Sequence, residues 1–196
     1  MAGYHKFVFD TERRRLVGAF EEMYQAEDQE GFDSWHSNDT RALRLRLALE
    51  ILKDYNFDEV LELGCGKGVA SQFLKKKNNR VVGIDISETA IRKASGSFPD
   101  IEFIQMSADD VAQLATSFDL ITIMTVLAYI ENWRELLQQV SKMTSYCLVA
   151  EYIPENPIGM VKSVSELEEA FMSSFDVVTK LVLDDNCCIF LGKSKA

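Results

Sequence analysis

From residue 57 onward, short β-branched apolar runs alternate with amphipathic helical stretches, and this alternation constrains the fold more than any other feature of the chain. Strand-like runs occupy 59–63, 80–85, 101–105, 118–124 and 146–152. Helical patterns at 68–76, 88–98, 109–116 and 132–143 separate them. In the last of these, Leu136, Leu137, Val140 and Met143 share one face at helical spacing. Such a succession predicts parallel strands joined by right-handed crossovers. The runs 120–124 and 147–150 are apolar without a polar alternation, as strands buried on both faces are. Near the C-terminus, strand-like 175–182 and 187–192 are joined only by 183–186, too short for a parallel return. A helical segment at 165–172 precedes that pair. The expected fold class is α/β: a seven-stranded, mostly parallel sheet with an antiparallel last strand and helices on both faces.

The first 56 residues read differently. Helical patterns cover 11–26 and 40–55, the second with Leu43, Leu47 and Ile51 on one face, and the segment 31–39 between them is rich in turn formers. No repeat, low-complexity stretch or linker interrupts the chain. At 196 residues it also lies below the roughly 250–300 at which chains usually divide. A single domain over 1–196 is expected, with an N-terminal helical cap (1–56) on an α/β core (57–196).

Composition narrows the function. With 47% hydrophobic and 27% charged residues the chain is an ordinary globular one, which excludes disordered and collagen-like classes. A net charge of −10 disfavours nucleic acid, whose binding needs a clustered basic face. The tight basic runs, Arg13 to Arg15 and Lys75 to Lys77, are expected on solvated surfaces. No apolar run of about 18 residues is present to cross a membrane, and residues 1–6 lack the apolar stretch of a signal peptide. The four cysteines Cys65, Cys147, Cys187 and Cys188 form no C-x-x-C, and only His5 and His36 could join them around a metal. Reduced, mostly buried thiols, no metal and a cytoplasmic setting follow as expectations.

The sharpest chemical signal is Val60-Leu61-Glu62-Leu63-Gly64-Cys65-Gly66-Lys67-Gly68, a buried strand running through glycines into a helix. Glycines there let the backbone turn tightly and a ligand approach closely. About 20 residues on, Val81-Val82-Gly83-Ile84 ends in Asp85, where a carboxylate accepts from ribose hydroxyls. Asp85 could instead cap the following helix, as could Ser87 and Glu88. A nicotinamide fingerprint would place its third glycine where Val69 stands; here Gly68 comes one residue early. Glu62 puts a negative charge beside the loop, unwelcome to a pyrophosphate but suited to a cationic or amine-bearing ligand.

With these residues the chain resembles the class I S-adenosylmethionine-dependent methyltransferases, from about Phe57 to the C-terminus. The stretch Glu62, Gly64, Cys65, Gly66 and Gly68 is similar to their first motif, beside the methionine part of the cofactor. The resemblance implies a Rossmann-like fold in which Asp85 binds the ribose and Ile86 flanks the adenine. Ser107, Ala108 and Asp109 would hold the adenine edge. Phe118-Asp119-Leu120-Ile121 and the loop from Thr125 to Ile130 resemble the fourth-strand motif. Phe20-Glu21-Glu22-Met23-Tyr24 with Asp33-Ser34-Trp35-His36 resembles the start of nodulation-type N-methyltransferases that modify chitooligosaccharides. That likeness implies a tryptophan segment over the cofactor, with Trp35 and Arg41 in contact with it, although Ser34 stands where the pattern more often has proline.

The reaction so implied transfers a methyl group to a nitrogen or oxygen of a small-molecule acceptor, with a sugar or oligosaccharide suggested by the N-terminal likeness. An amine must be neutral to attack and a hydroxyl needs a base nearby. His36, Tyr129 and Glu151 are the candidate catalytic residues. His36 could equally be a surface or capping residue, and Tyr129 a packing one. Residues 152–160, stiffened by Pro154 and Pro157, form the expected substrate loop. The alternatives are a nicotinamide-dependent small-molecule reductase and a non-catalytic methyltransferase-fold binding subunit. Either way the expected partner is a small molecule, and the chain a monomer or homodimer.

Overall fold

A computed structural model describes residues 3–36, 42–183 and 186–195. Seven strands form the central sheet: β1 (Glu59–Leu63), β2 (Arg80–Asp85), β3 (Glu102–Gln105), β4 (Phe118–Met124), β5 (Thr144–Tyr152), β6 (Phe175–Leu183) and β7 (Cys187–Ser194). Their order is β3-β2-β1-β4-β5-β7-β6. Pairing is parallel from β3 to β5, and β7 runs antiparallel between β5 and β6. The architecture read from the alternation is the one observed, including the lone antiparallel strand at the chain's end.

The strands are apolar on both faces because both faces are covered. Leu61, Leu63, Ile121, Ile123, Val149 and Phe190 pack against α5 (Trp133–Ser141) and α6 (Val164–Ser174) through Trp133, Leu137, Leu167 and Phe171. Val60, Leu120, Leu148, Ile189 and Leu191 meet Ala48 and Leu52 of α2 (Leu43–Leu52) and Leu74 of α3 (Val69–Leu74) on the other side. Helix α4 (Glu88–Ser97) begins at Ser87, whose hydroxyl caps it by accepting from the Ala90 N–H. The segment 109–116 is realised as a 3-10 helix, Ala108–Leu114, rather than an α-helix.

The N-terminal part departs from the helical pattern over 11–19. A hairpin pairs Phe9–Asp10 with Arg15–Leu16, and α1 (Phe20–Glu30) starts only after it. The reason is local: the Asp10 carboxylate accepts from the Arg13 N–H (3.0 Å) and from Arg15 Nε (3.2 Å), closing a turn with Arg14 at φ 50°. Helix α1 ends at Gly31, whose φ of 69° is the left-handed stop glycine adopts freely. All four cysteines are free, and Cys65, Cys147 and Cys188 are buried. Among the described residues no helix is long and apolar enough to cross a membrane.

Candidate active site

In an open parallel sheet the ligand crevice lies beyond the strands' carboxyl ends where strand order reverses, here between β1 and β4. A cavity of about 490 Å³ opens there. One half is built by the loops after β1, β2 and β3; the other by the N-terminal segment, the loop after β4 and Met160.

The first half follows from the glycine loop. Gly64, Gly66 and Gly68 have φ of 67°, 52° and 78°, a left-handed path that other residues follow only under strain. It presents the Gly66 N–H to Asp85 Oδ2 at 2.9 Å, while Ser87 N–H donates to Oδ1 at 2.9 Å. Asp85 is thus aimed by backbone and keeps lone pairs for hydroxyl donors. Its burial raises the carboxyl's pKa, against those two N–H donors. Ile86 lies at the cavity edge with 55% of its surface exposed, an apolar flat for a planar group. Ser107 caps the next turn by accepting from the Asp109 N–H (3.3 Å), which leaves the exposed Asp109 carboxylate at the rim.

Glu62 lines the same half from inside. It is buried, accepts a short hydrogen bond from Ser71 Oγ, and desolvation pushes its pKa up to about 8, with the nearby Asp85 charge acting in the same direction. At neutral pH and without a neighbouring cation, Glu62 is therefore mostly protonated.

The second half is aromatic. Trp35, Phe20 and Tyr129 form a wall, with ring centroids 5.3 Å apart for Trp35 and Tyr129 and 5.5 Å for Phe20 and Tyr129. Trp35 sits at φ 61° in a short 3-10 turn and donates from Nε1 to Tyr24 Oη at 3.1 Å. A Cβ on Gly66 would lie 2.8 Å from that same hydroxyl, so Tyr24 locks the N-terminal segment to the glycine loop. Beneath it Glu27, 4% exposed, accepts from Lys67 (2.9 Å), Lys93 (2.8 Å) and the Ser34 N–H (2.8 Å). Glu21 in turn accepts from Ser87 and Thr89 at the start of α4. Desolvation opposes these bonds but they outweigh it, drawing Glu21 down to about 2.

Of the residues singled out by sequence, Trp35, Glu62, Gly64, Cys65, Gly66, Asp85, Ile86, Ser107, Ala108, Asp109, Thr125 and Tyr129 line the cavity. Gly68 does not; a Cβ there would meet Phe103, so its role is close packing of α3 against the sheet. Glu151 does not either. It is 1% exposed, and its Oε1 accepts from the N–H groups of Val126 and Leu127, both at 2.8 Å. Burial raises its pKa to about 7 despite those donors. It shapes the loop after β4 and has no surface for an acceptor. Tyr129 is half-buried in the aromatic wall, and desolvation raises its hydroxyl pKa. His36 closes the turn Ser34–His36, but its side chain lies outside the described residues, as does Arg41. Met160, at the end of the expected substrate loop, lines the cavity, whereas Tyr24, Phe20, Lys67 and Arg44 were not singled out as lining residues. Phe20 and Tyr24, four apart on one helix face, carried a readable signal; the others did not.

The loop after β5 borders the cavity through Met160. Met160 N–H donates to Ala128 O at 2.8 Å, and Arg14 in the hairpin turn donates to Asn156 Oδ1 at 2.7 Å. The segment expected to face substrate therefore meets both the β4 loop and the hairpin.

A family model described as a methyltransferase domain matches residues 60–145. The ubiquinone biosynthesis O-methyltransferase of Schizosaccharomyces pombe mitochondria is 31% identical over 104 residues, 48% of this chain and 38% of that protein. The chain thus spans well under half the length of that curated relative. Among solved structures, N-methyltransferase NodS from Bradyrhizobium japonicum with S-adenosyl-l-homocysteine superposes with a TM-score of 0.73 at 19% identity, covering 88% of this chain and 98% of that one. Magnesium protoporphyrin IX methyltransferase from Synechocystis with bound SAM gives a TM-score of 0.65 at 15% identity, covering 98% and 95%. At such identities the structural likenesses speak to fold alone. Residues 60–145 accordingly match a methyltransferase-domain model, and the chain shares the fold of these methyltransferase structures.

Proposed function

We propose that the chain is an S-adenosylmethionine-dependent methyltransferase acting on an oxygen or nitrogen of a small-molecule acceptor. The observation that carries this reading is one continuous cavity in which Asp85 and the glycine loop face an aromatic half across the sheet's switch point. The donor set fits the cofactor. Asp85 would accept from ribose hydroxyls, Ile86 and the 107–109 turn would flank the adenine, and Glu62 would lie by the methionine end. The bound cofactor supplies an activated methyl on a sulfonium. The chain's own part is alignment and exclusion of water: Trp35, Phe20, Tyr129 and Met160 line the cavity. A cation brought beside Glu62 would favour release of its carboxyl proton, so this group would ionise on filling of the site.

Oxygen is placed first as the acceptor atom, because the curated relatives sharing sequence are named O-methyltransferases. The sugar acceptor suggested by the N-terminal likeness finds little support in a lining whose aromatic half offers few polar groups. The acceptor's identity, the monomeric or homodimeric state, the single-domain organisation and the cytoplasmic setting stand as parts of this proposal. The reductase alternative is disfavoured by Val69 where its fingerprint needs glycine.

The test is calorimetric titration of S-adenosylhomocysteine and, separately, NADH into wild type and Asp85→Ala. Micromolar binding of the former, weakened about 100-fold by losing two charge-assisted hydrogen bonds, is the expected result. No binding of S-adenosylhomocysteine would sink the reading. An NADH signal would then promote the reductase, and silence the binding subunit.

A further inference from the structure

Arg44 is the second residue of α2 and lines the aromatic half of the cavity. Among the described residues no carboxylate lies within ion-pair distance of it and no hydrogen bond from it is formed. Its place serves the helix poorly. A cation in the first turn opposes the positive end of the helix dipole, and no acidic residue in that turn offsets it. The guanidinium is nevertheless held close to the cavity wall. Burial raises the Tyr129 hydroxyl and the Glu151 carboxyl, and the Arg44 charge opposes that rise on each. A half-buried, uncommitted cation in the same lining as Trp35 and Tyr129 is a costly arrangement for an apolar cavity half unless an anion fills it. Glu131, a carboxylate of the lining that follows Tyr129 in the chain, is exposed.

We propose that Arg44 selects the acceptor, and that the acceptor is a planar apolar molecule carrying an acidic group, a carboxylate or a phosphate. The aromatic wall takes the ring and the guanidinium fork takes the acid, whose two oxygens match its geometry. This rests on the methyltransferase reading above and adds the acceptor's chemical class to it.

The experiment uses the full chain loaded with S-adenosylhomocysteine and titrated with 4-hydroxybenzoate, 4-hydroxyphenyl phosphate and phenol. At least one acid is expected to bind about tenfold or more tightly than phenol, the scale of a charge-assisted pair. Whichever acid leads identifies the source of the charge. The Arg44→Met variant, which keeps the apolar stem, is expected to erase the preference, and Arg44→Lys to keep part of it. Equal binding of all three probes, binding of none, or a preference that survives Arg44→Met overturns the proposal. Uptake of S-adenosylhomocysteine is measured first, so its failure marks the collapse of the methyltransferase reading itself, and this proposal falls with it. Uptake without acid preference removes this proposal alone.

Discussion

At the scale of single residues, the site depends on carboxyl groups that the fold keeps out of water. Glu62 is the clearest, with a raised pKa of about 8 against an ordinary value of 4.5. The folded, ligand-free chain therefore holds a proton that the unfolded chain has released. Stability from this group is fully present below pH 4.5 and is lost as pH rises toward 8. Binding runs the other way: affinity for S-adenosylhomocysteine, whose ammonium favours the ionised carboxylate, is expected to rise between pH 6 and 8. Glu62→Gln should flatten that rise and weaken binding about tenfold at pH 8, read by titration calorimetry in buffers of differing ionisation enthalpy. A wild-type affinity that does not change with pH would count against the assignment. The position of Glu62 was legible in the sequence; its protonation was not, because desolvation depends on Ser71 and Asp85 arriving from other elements.

At the scale of elements, the N-terminal segment is fastened by two glutamates of α1. Glu21 binds the start of α4, and Glu27 gathers Lys67 of the glycine loop, Lys93 of α4 and the turn bearing Trp35. The Glu21 contribution is present above pH 4.5 and is lost as pH falls toward 2, since its folded pKa is depressed. Replacing Glu27 with Gln removes the buried counter-charge shared by two part-buried lysines and leaves each one outer partner, Asp33 for Lys67 and Asp28 for Lys93. Hydrogen exchange in 20–36 is then expected to accelerate roughly tenfold or more while the β1, β4 and β5 amides stay protected. S-adenosylhomocysteine affinity should drop with it. Unchanged exchange in 20–36 would show that aromatic packing alone holds the segment. Periodicity made α1 readable over 20–26, but it extended the helix back through 11–19. There the Asp10 carboxylate closes a hairpin, a competition between side-chain and helical hydrogen bonds that hydrophobic spacing does not register.

At the scale of the whole molecule, the inserted antiparallel strand β7 ties the last hairpin to the parallel sheet. Phe171 of α6 is fully buried there, stacked on Phe175 at 4.7 Å and close against the space over Gly192. Phe171→Ala is expected to destabilise the chain by about 3–5 kcal/mol, measured by urea unfolding, through lost burial and the cavity left behind. A loss under 1 kcal/mol would mean that the α6 layer relaxes onto β7. The seven strands, their parallel pairing and the single reversal at the end were determined by the sequence itself. Apolar runs of strand length separated by crossover helices admit few arrangements, and a four-residue connection 183–186 admits only an antiparallel one. The glycine loop and Asp85 were likewise legible, because their chemistry depends on local backbone geometry at the end of a strand. Only the tertiary structure decided that Glu151 braces a loop instead of facing an acceptor, that Tyr24 and Glu27 pin the N-terminal segment over the cavity, and that Arg44 enters its aromatic half. Those roles depend on which side chains meet across distant segments, and spacing along the chain holds no record of that distance.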